Sequence, residues 1–338
     1  MQEQNYAASR FSVAPMLDWT DRHCRVFHRT LTKNALLYTE MVTTGAILFG
    51  NQEKLLGFDA VRHPIALQLG GSDPEDLARC VAIATSYGYD EFNLNCGCPS
   101  ERVQKGAFGA SLMLDAPLVA RCYQAMQAQT DRPVTIKHRI GVDKEDRYRF
   151  VRDFVGTIYE AGCRRFIVHT RAAWLQGLSP KENREVPPLK RDYAVQLKKD
   201  FPRARFSING GLNSIERGQE WLEQGLDGMM LGRAAYHNPW LLTDVDRVLF
   251  GVEKEKPLRS AVVAQMTDYL VRHWADDRLA IRATARHMMG LTQGLPGARR
   301  WRQILSDPKA FRTKGPRVLA YAWEETYGSW LEENERPR

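Results

Sequence analysis

Two thiols stand one residue apart in NLNCGCPS (93–100), where an apolar run gives way to Gly97 and Pro99. Such a pair could clip a metal, fill a core, or hold a reagent at the end of a strand. A zinc site needs a second cysteine or histidine pair at ligand spacing, and the remaining cysteines, at 24, 80, 122 and 163, supply none, so no metal is expected. Cys96 falls within the apolar run and reads as a small core hydrophobe. Cys98 comes after the run, beside Pro99, where its thiol can face a ligand. An ordinary cysteine thiol, with a pKa of about 8.5, is protonated at neutral pH, which makes Cys98 a candidate general acid.

A reagent needs a frame, and the pattern of apolar runs supplies one. Eight runs of strand length occur at 11–17, 35–41, 64–70, 91–97, 133–141, 165–171, 204–210 and 227–233. Helical segments lie between them, among them 73–88, with Asp73 as N-cap, Pro74 at the first helical position and Gly88 near the end. Eight strand–helix units in about 240 residues predict a parallel (β/α)8 TIM barrel. The loop 172–191, AAWLQGLSPKENREVPPLKR, is long enough to cover its mouth. After Phe250 a charged linker, GVEKEKP (251–257), leads to amphipathic patterns at 258–274 and 277–293, with GLPGARR as a connector. The expected organisation is an α/β barrel over 1–250 followed by a small all-helical domain over 251–338.

In such a barrel, chemistry sits at the C-terminal ends of the strands. Those ends here carry Pro15 and Met16, Gln68, Asn95, Cys98, Lys137 with Arg139, His169 with Arg171, Asn209-Gly210-Gly211, and Gly232-Arg233. Either glycine group alone reads as an ordinary turn. Together, at strands seven and eight, they read as a phosphate cradle of backbone N–H groups. Lys137 lies in a doubly buried strand, where an unpaired ammonium is costly, so it needs an anionic partner. If the phosphate belongs to FMN, Lys137 can face the N1/O2 edge of the flavin, Gln68 its pyrimidine edge, and His169 can bridge ring and phosphate. His169 in isolation would read as a satisfied core histidine.

The 338 residues carry a net charge of +8, which hints at an acidic partner, and its placement is more telling than its size. Between Arg272 and Arg317 eleven basic residues face three acidic ones. Arg278, Arg282 and Arg286 are spaced to share one helical face, which fits either RNA contact or a solvated surface paired with Asp276 and Asp277. No uncharged apolar stretch approaches the roughly 20 residues of a membrane span, so no membrane partner is expected. The start MQEQNYAASR lacks an apolar targeting segment, and the scattered cysteines suit a cytoplasmic protein with reduced thiols.

The motifs APMLDWTDRHCR (14–25), LLYTEMVTTGAI (36–47), PIALQLGGSDP (64–74), NLNCGCPS (93–100), GLSPKENREVPPL (177–189) and SINGGL (207–212) resemble those of the tRNA-dihydrouridine synthases, and most closely the A subfamily. The resemblance runs from about residue 10 to about 305 and includes GLPGARRWRQIL. It departs from the family pattern at Cys96, where the residue before the glycine is usually not a thiol. The resemblance implies an FMN enzyme that uses NADPH to reduce uridines 20 and 20a of the tRNA D-loop to 5,6-dihydrouridine. It places FMN contacts on Pro15, Met16, Leu17, Gln68, Lys137, His169, Asn209, Gly210, Gly211, Gly232 and Arg233. Cys98 becomes the proton donor to C5, and Asn95, Lys181, Arg184, Arg299 and Arg302 are implied to touch tRNA. Two other readings stay open: a barrel flavoenzyme acting on a free pyrimidine, and a tRNA-binding protein without essential chemistry.

Overall fold

The computed structural model describes residues 9–58, 63–100, 103, 106–253 and 255–328. All eight expected runs are strands: β1 Phe11–Val13, β2 Leu36–Thr43, β3 Ile65–Gly70, β4 Glu91–Cys96, β5 Val134–Arg139, β6 Arg165–His169, β7 Arg205–Asn209 and β8 Gly228–Leu231. They close in sequence order into a parallel barrel, so the expected (β/α)8 architecture is the one found. The strands are buried on both faces, which is why they read as continuous apolar runs rather than alternating ones. Inside, Ala14, Leu36, Tyr38, Ala66, Ile167 and Met230 fill the core, with Met16 packed against them.

Register decides which polar residues share the interior. Asn95 lies opposite Lys137, Arg139 opposite His169, and His169 opposite Asn209. Because side chains alternate along a strand, Glu91, Asn93 and Asn95 share one face of β4, and Thr135, Lys137 and Arg139 share one face of β5. Cys96 and His138 take the other parity, toward the helices, and both are fully buried.

The helix expected at 73–88 spans Pro74–Thr85, with Asp73 Oδ1 accepting from Asp76 N at 2.9 Å. Gly88 follows at a φ of +82°, a left-handed turn that needs no Cβ. The patterns at 258–274 and 277–293 become Arg259–His273 and Arg278–Met288. The connector GLPGARR is only partly one: after Gly297, at φ +82°, it opens the helix Ala298–Ile304. Ala298, Trp301 and Ile304 recur at i, i+3 and i+6 and are buried, which gives that short helix its inner face.

The chain forms two compact units, 9–17, 35–58 and 63–232 in one, 18–34 and 233–328 in the other, among the described residues. The helix Arg22–Leu31, although it links β1 to β2 in sequence, thus belongs to the helical unit, as do the residues from Arg233 to Phe250. Within that unit, Asp246 accepts from Thr32 Oγ1 at 2.6 Å, Lys33 N at 2.7 Å and Asn34 N at 3.0 Å. No helix among the described residues is long and apolar enough to cross a membrane.

Candidate active site

The turn after β4 holds Cys98 through its backbone. Asn95 Oδ1 accepts from Gly97 N and Cys98 N, both at 3.0 Å, and the Cys98 carbonyl accepts from Ala110 N at 2.9 Å. Gly109, at φ +72°, allows that approach; a Cβ there would stand 2.6 Å from the Cys98 oxygen. The Cys98 thiol is partly exposed and donates toward Ser100 Oγ at 3.5 Å. Cys96 differs in every respect: it is buried, and that burial pushes its thiol well above the ordinary range, with Cys122 and Cys163 adding to the effect.

Below Asn95 the amides are linked. Asn95 Nδ2 donates to Gln68 Oε1, Gln68 Nε2 to Asn93 Oδ1, and Asn93 Nδ2 to Thr135 Oγ1, each at 2.8 Å. Thr135 Oγ1 donates in turn to Glu91 Oε1 at 2.8 Å. Tyr38 OH donates to the same carboxylate oxygen, and Arg165 lies 3.7 Å from the other. Burial pushes the Glu91 carboxyl up, while Arg165, Tyr38 and Thr135 counteract it.

Cations collect on β5 and β6. Burial, with Arg139 adding to it and Cys98 opposing, lowers the Lys137 ammonium to about 7. Burial and then the charges of Arg139, Lys137, Arg171 and Arg184 hold His169 well below its ordinary value, so its ring is neutral. His169 Nδ1 is buried with no hydrogen-bond partner. No carboxylate among the described residues pairs with Lys137. A neutral imidazole and a half-buried ammonium, left to themselves among arginines, leave room in the energetics for an anion.

Arg139 and Asn183 are the residues that sequence reasoning left without a role. Arg139 donates from Nε to Gly97 O at 3.1 Å, and from Nη1 to Ala172 O at 3.2 Å and Asn183 O at 2.8 Å, so it ties the Cys98 turn to the 172–191 loop. Asn183 is fully buried inside that loop; its Oδ1 accepts from Trp174 N at 2.8 Å, and its Nδ2 donates to Trp174 O at 2.9 Å. The available signal for Arg139 was its spacing of two from Lys137, which puts both on the inner face. For Asn183 the signal was weaker: a lone amide in a loop bounded by glycine and prolines.

At β7, Asn209 Nδ2 donates to Met230 O of β8 at 2.8 Å. Gly210 and Gly211 follow at φ +110° and +66°, and a Cβ on Gly211 would lie 2.9 Å from Leu189 and 2.8 Å from Arg191. Gly232 borders Met16 and Ala14, where a Cβ would make ordinary contacts. Gln68, Asn95, Cys98, Lys137, His169 and the Asn209 turn therefore come together at the strand ends. Pro15 and Met16 follow β1 half-buried, and Leu17 is 67% exposed. Lys181 precedes and Arg184 ends the short 3-10 turn Glu182–Arg184 of the loop, Lys181 exposed and Arg184 half-buried. Arg233, Arg299 and Arg302 lie in the helical unit, the last two exposed. No cluster of three or more His, Cys, Asp or Glu placed for a metal occurs among the described residues.

Residues 12–324 match the family model described as dihydrouridine synthase (Dus). The chain is similar to a tRNA-dihydrouridine(20/20a) synthase of Shewanella oneidensis, 54% identical over 314 residues that cover 93% of each chain. Proteins of the same name from Pseudomonas putida (55% identical, 88% of each chain) and Escherichia coli O6:H1 (54% identical, 89% of this chain and 91% of that one) are similar over nearly the same extent.

Proposed function

This chain belongs to the dihydrouridine synthase family of oxidoreductases, and from that premise we propose that it reduces uridines 20 and 20a of the tRNA D-loop to 5,6-dihydrouridine, with FMN as cofactor and NADPH as reductant. The observation that carries this reading is the partly exposed Cys98 thiol beside a set of cations, Lys137, Arg139, Arg171 and Arg184, around a neutral His169 whose Nδ1 has no partner. A hydrogen-bonding ring system that becomes anionic on reduction, and that carries a phosphate, meets each of those demands. The residues present therefore fit FMN: Lys137, His169 and Gln68 toward the ring, with Pro15, Met16 and Leu17 beside it, and Asn209, Gly210, Gly211, Gly232 and Arg233 toward the phosphate.

When bound, FMN supplies the hydride that reaches C6 of the uracil. Cys98 gives its proton to C5, and the thiolate left behind recovers a proton from solvent. Asn95 fixes the Cys98 backbone and so the position of the thiol. A uracil inside a folded tRNA has to be extruded to reach a barrel mouth, and binding elsewhere must offset its unstacking. Lys181 and Arg184 on the mouth loop, and Arg299 and Arg302 in the C-terminal helices, are the proposed tRNA contacts. In this division of labour the barrel, read as 1–250, is catalytic and the helical part, read as 251–338, holds tRNA. Six free thiols support a cytoplasmic, reducing location.

The test is direct. The purified protein should be yellow and release FMN on denaturation. With NADPH it should convert unmodified tRNA so that nucleoside mass analysis finds dihydrouridine at 20 and 20a. A colourless protein that leaves those uridines unchanged after supplementation with FMN would overturn the reading. Reduction of free uracil but not of tRNA would favour a free-pyrimidine enzyme instead.

A further inference from the structure

The inner polar side chains of β3, β4 and β5 form one unbroken hydrogen-bond chain with a single direction. Glu91, at its base, is 3% exposed, and its Oε1 accepts from both Tyr38 OH and Thr135 Oγ1. Thr135, donating its proton to Glu91, can only accept from above, and it accepts from Asn93 Nδ2. Asn93 Oδ1 must then accept from Gln68 Nε2, and Gln68 Oε1 from Asn95 Nδ2. The upper end demands the same sense independently, because the two N–H groups that meet Asn95 Oδ1 belong to the backbone and cannot turn over. Flipping any one amide would set donor against donor and acceptor against acceptor where water is excluded.

We propose that Glu91, Thr135 and Asn93 are positioning residues that, through Gln68, lock Asn95 as a hydrogen-bond donor toward the barrel mouth, and so select a pyrimidine that presents a carbonyl oxygen at C4. This inference rests on the uridine-reducing reading above. The Asn95 amide nitrogen spends one hydrogen within the chain and keeps a second for a ligand. Asn95 holds the Cys98 backbone through its oxygen, so a single side chain sets both the thiol that protonates C5 and a donor near C4, the neighbouring atom. Uracil offers an acceptor at C4, whereas cytosine offers an amino group, which would bring N–H against N–H. As C6 gains a hydride, negative charge moves toward O4, and a fixed donor there stabilises it.

The experiment uses FMN-loaded full-length enzyme and tRNA carrying either uridine or 4-thiouridine at the target position, with single-turnover rates measured for both. Sulfur is a poor acceptor, so the wild type should be about tenfold slower on the thio substrate. Thr135→Val, nearly isosteric but without the hydroxyl, should slow the uridine reaction by about tenfold and the thio reaction by less than about twofold, collapsing the ratio toward one. Thr135→Ser should restore the ratio, and tRNA affinity should stay within about twofold throughout. Asn93→Leu cuts the same chain one link higher and should collapse the ratio in the same way, so the test survives if one variant fails to fold. A merely structural role would slow both substrates equally and leave the ratio unchanged. That result, a Thr135→Ser variant that behaves like Thr135→Val, or a wild-type ratio near one would each overturn the inference. A wild type that makes no dihydrouridine from the uridine tRNA would instead sink the function itself, and the clamp with it, before any variant is compared.

Discussion

Cys96 and Cys98 stand two positions apart, a spacing that would put both on one face of a pleat, and it is the end of β4 at Cys96 that separates their chemistry. The first faces the helices, where burial raises its thiol and closes it to substrate; the second leaves the strand and is held at both its N–H and its carbonyl. Cys98→Ala should slow dihydrouridine formation by about 10²- to 10⁴-fold, while NADPH consumption by the flavin in a stopped-flow trace is unchanged, because only the protonation step is lost. Cys96→Ala should cost about 1 kcal/mol of stability from the lost packing and leave turnover alone. Opposite behaviour of the pair would mean the wrong thiol was chosen. Lys137 gives a second prediction. Its ammonium, lowered to about 7 by burial and Arg139, loses its proton in the free protein above that pH. The acceptor edge of the flavin ring takes a hydrogen bond from the protonated form better and raises its pKa, so FMN affinity of the apoprotein should be full below about 7 and weaken as pH rises, by up to about tenfold per unit. Lys137→Met should bind FMN weakly and without that pH dependence, as followed by quenching of flavin fluorescence.

At the scale of elements, the sequence was legible where one local rule governed the outcome. Doubly buried parallel strands must be apolar runs, and all eight were read within a few residues. The Asp73-Pro74 start and the Cys98 turn were legible because capping and strand termination are local chemistry. The helix Arg22–Leu31 was not legible as a member of the helical unit, because its allegiance is set by partners more than two hundred residues away. Asp21 caps that helix by accepting from Cys24 N at 2.9 Å and also accepts from His287 Nε2 at 2.9 Å; the other ring nitrogen of His287 lies 3.0 Å from Tyr236 OH. The hydrogen-bond chain beneath Asn95 was equally hidden, since cross-strand register decides which amides meet. Burial pushes the Asp21 carboxyl up, but the His287 contact, the Cys24 N–H and His23 outweigh it and lower it from 3.8 to about 2. A carboxyl depressed in the folded state adds stability above its unfolded pKa and loses it as pH falls through the folded value. Asp21→Asn, which keeps a capping oxygen but not the charge, should therefore cost about 2 kcal/mol at pH 7. The deficit should shrink between pH 4 and pH 2 in urea titrations; a deficit independent of pH would assign it to packing instead.

For the whole molecule, charge is the property on which the proposed separation of tRNA binding from flavin chemistry rests. The excess of eleven basic residues over three acidic ones between Arg272 and Arg317 was read from the sequence alone, and the helices show how it is presented. In Ala298–Ile304 the buried Ala298, Trp301 and Ile304 leave Arg299, Arg300 and Arg302 exposed. Arg300 lies 3.9 Å from Glu325, whereas Arg299 and Arg302 have no carboxylate partner among the described residues. The trio on Arg278–Met288 is exposed as its spacing required, but Arg286 donates to Asp18 O at 2.7 Å and Arg282 lies over the Phe311 ring. Arg299 and Arg302 are thus exposed cations without a carboxylate partner among the described residues, as are Arg278, Lys309, Arg312 and Arg317, and they are the two proposed above to meet tRNA phosphate. In a salt titration of tRNA binding to full-length protein, log affinity should fall linearly with log salt, and Arg299→Ala or Arg302→Ala should each make that slope shallower by roughly one ion. Asn95→Ala should leave the slope alone and slow single-turnover reduction by about tenfold or more, because an uncharged residue beside Cys98 orients the base and releases no counterions. Unchanged slopes in both arginine variants would remove this helix from recognition and move the phosphate contacts to Lys181 and Arg184 on the mouth loop, where the same titration would find them.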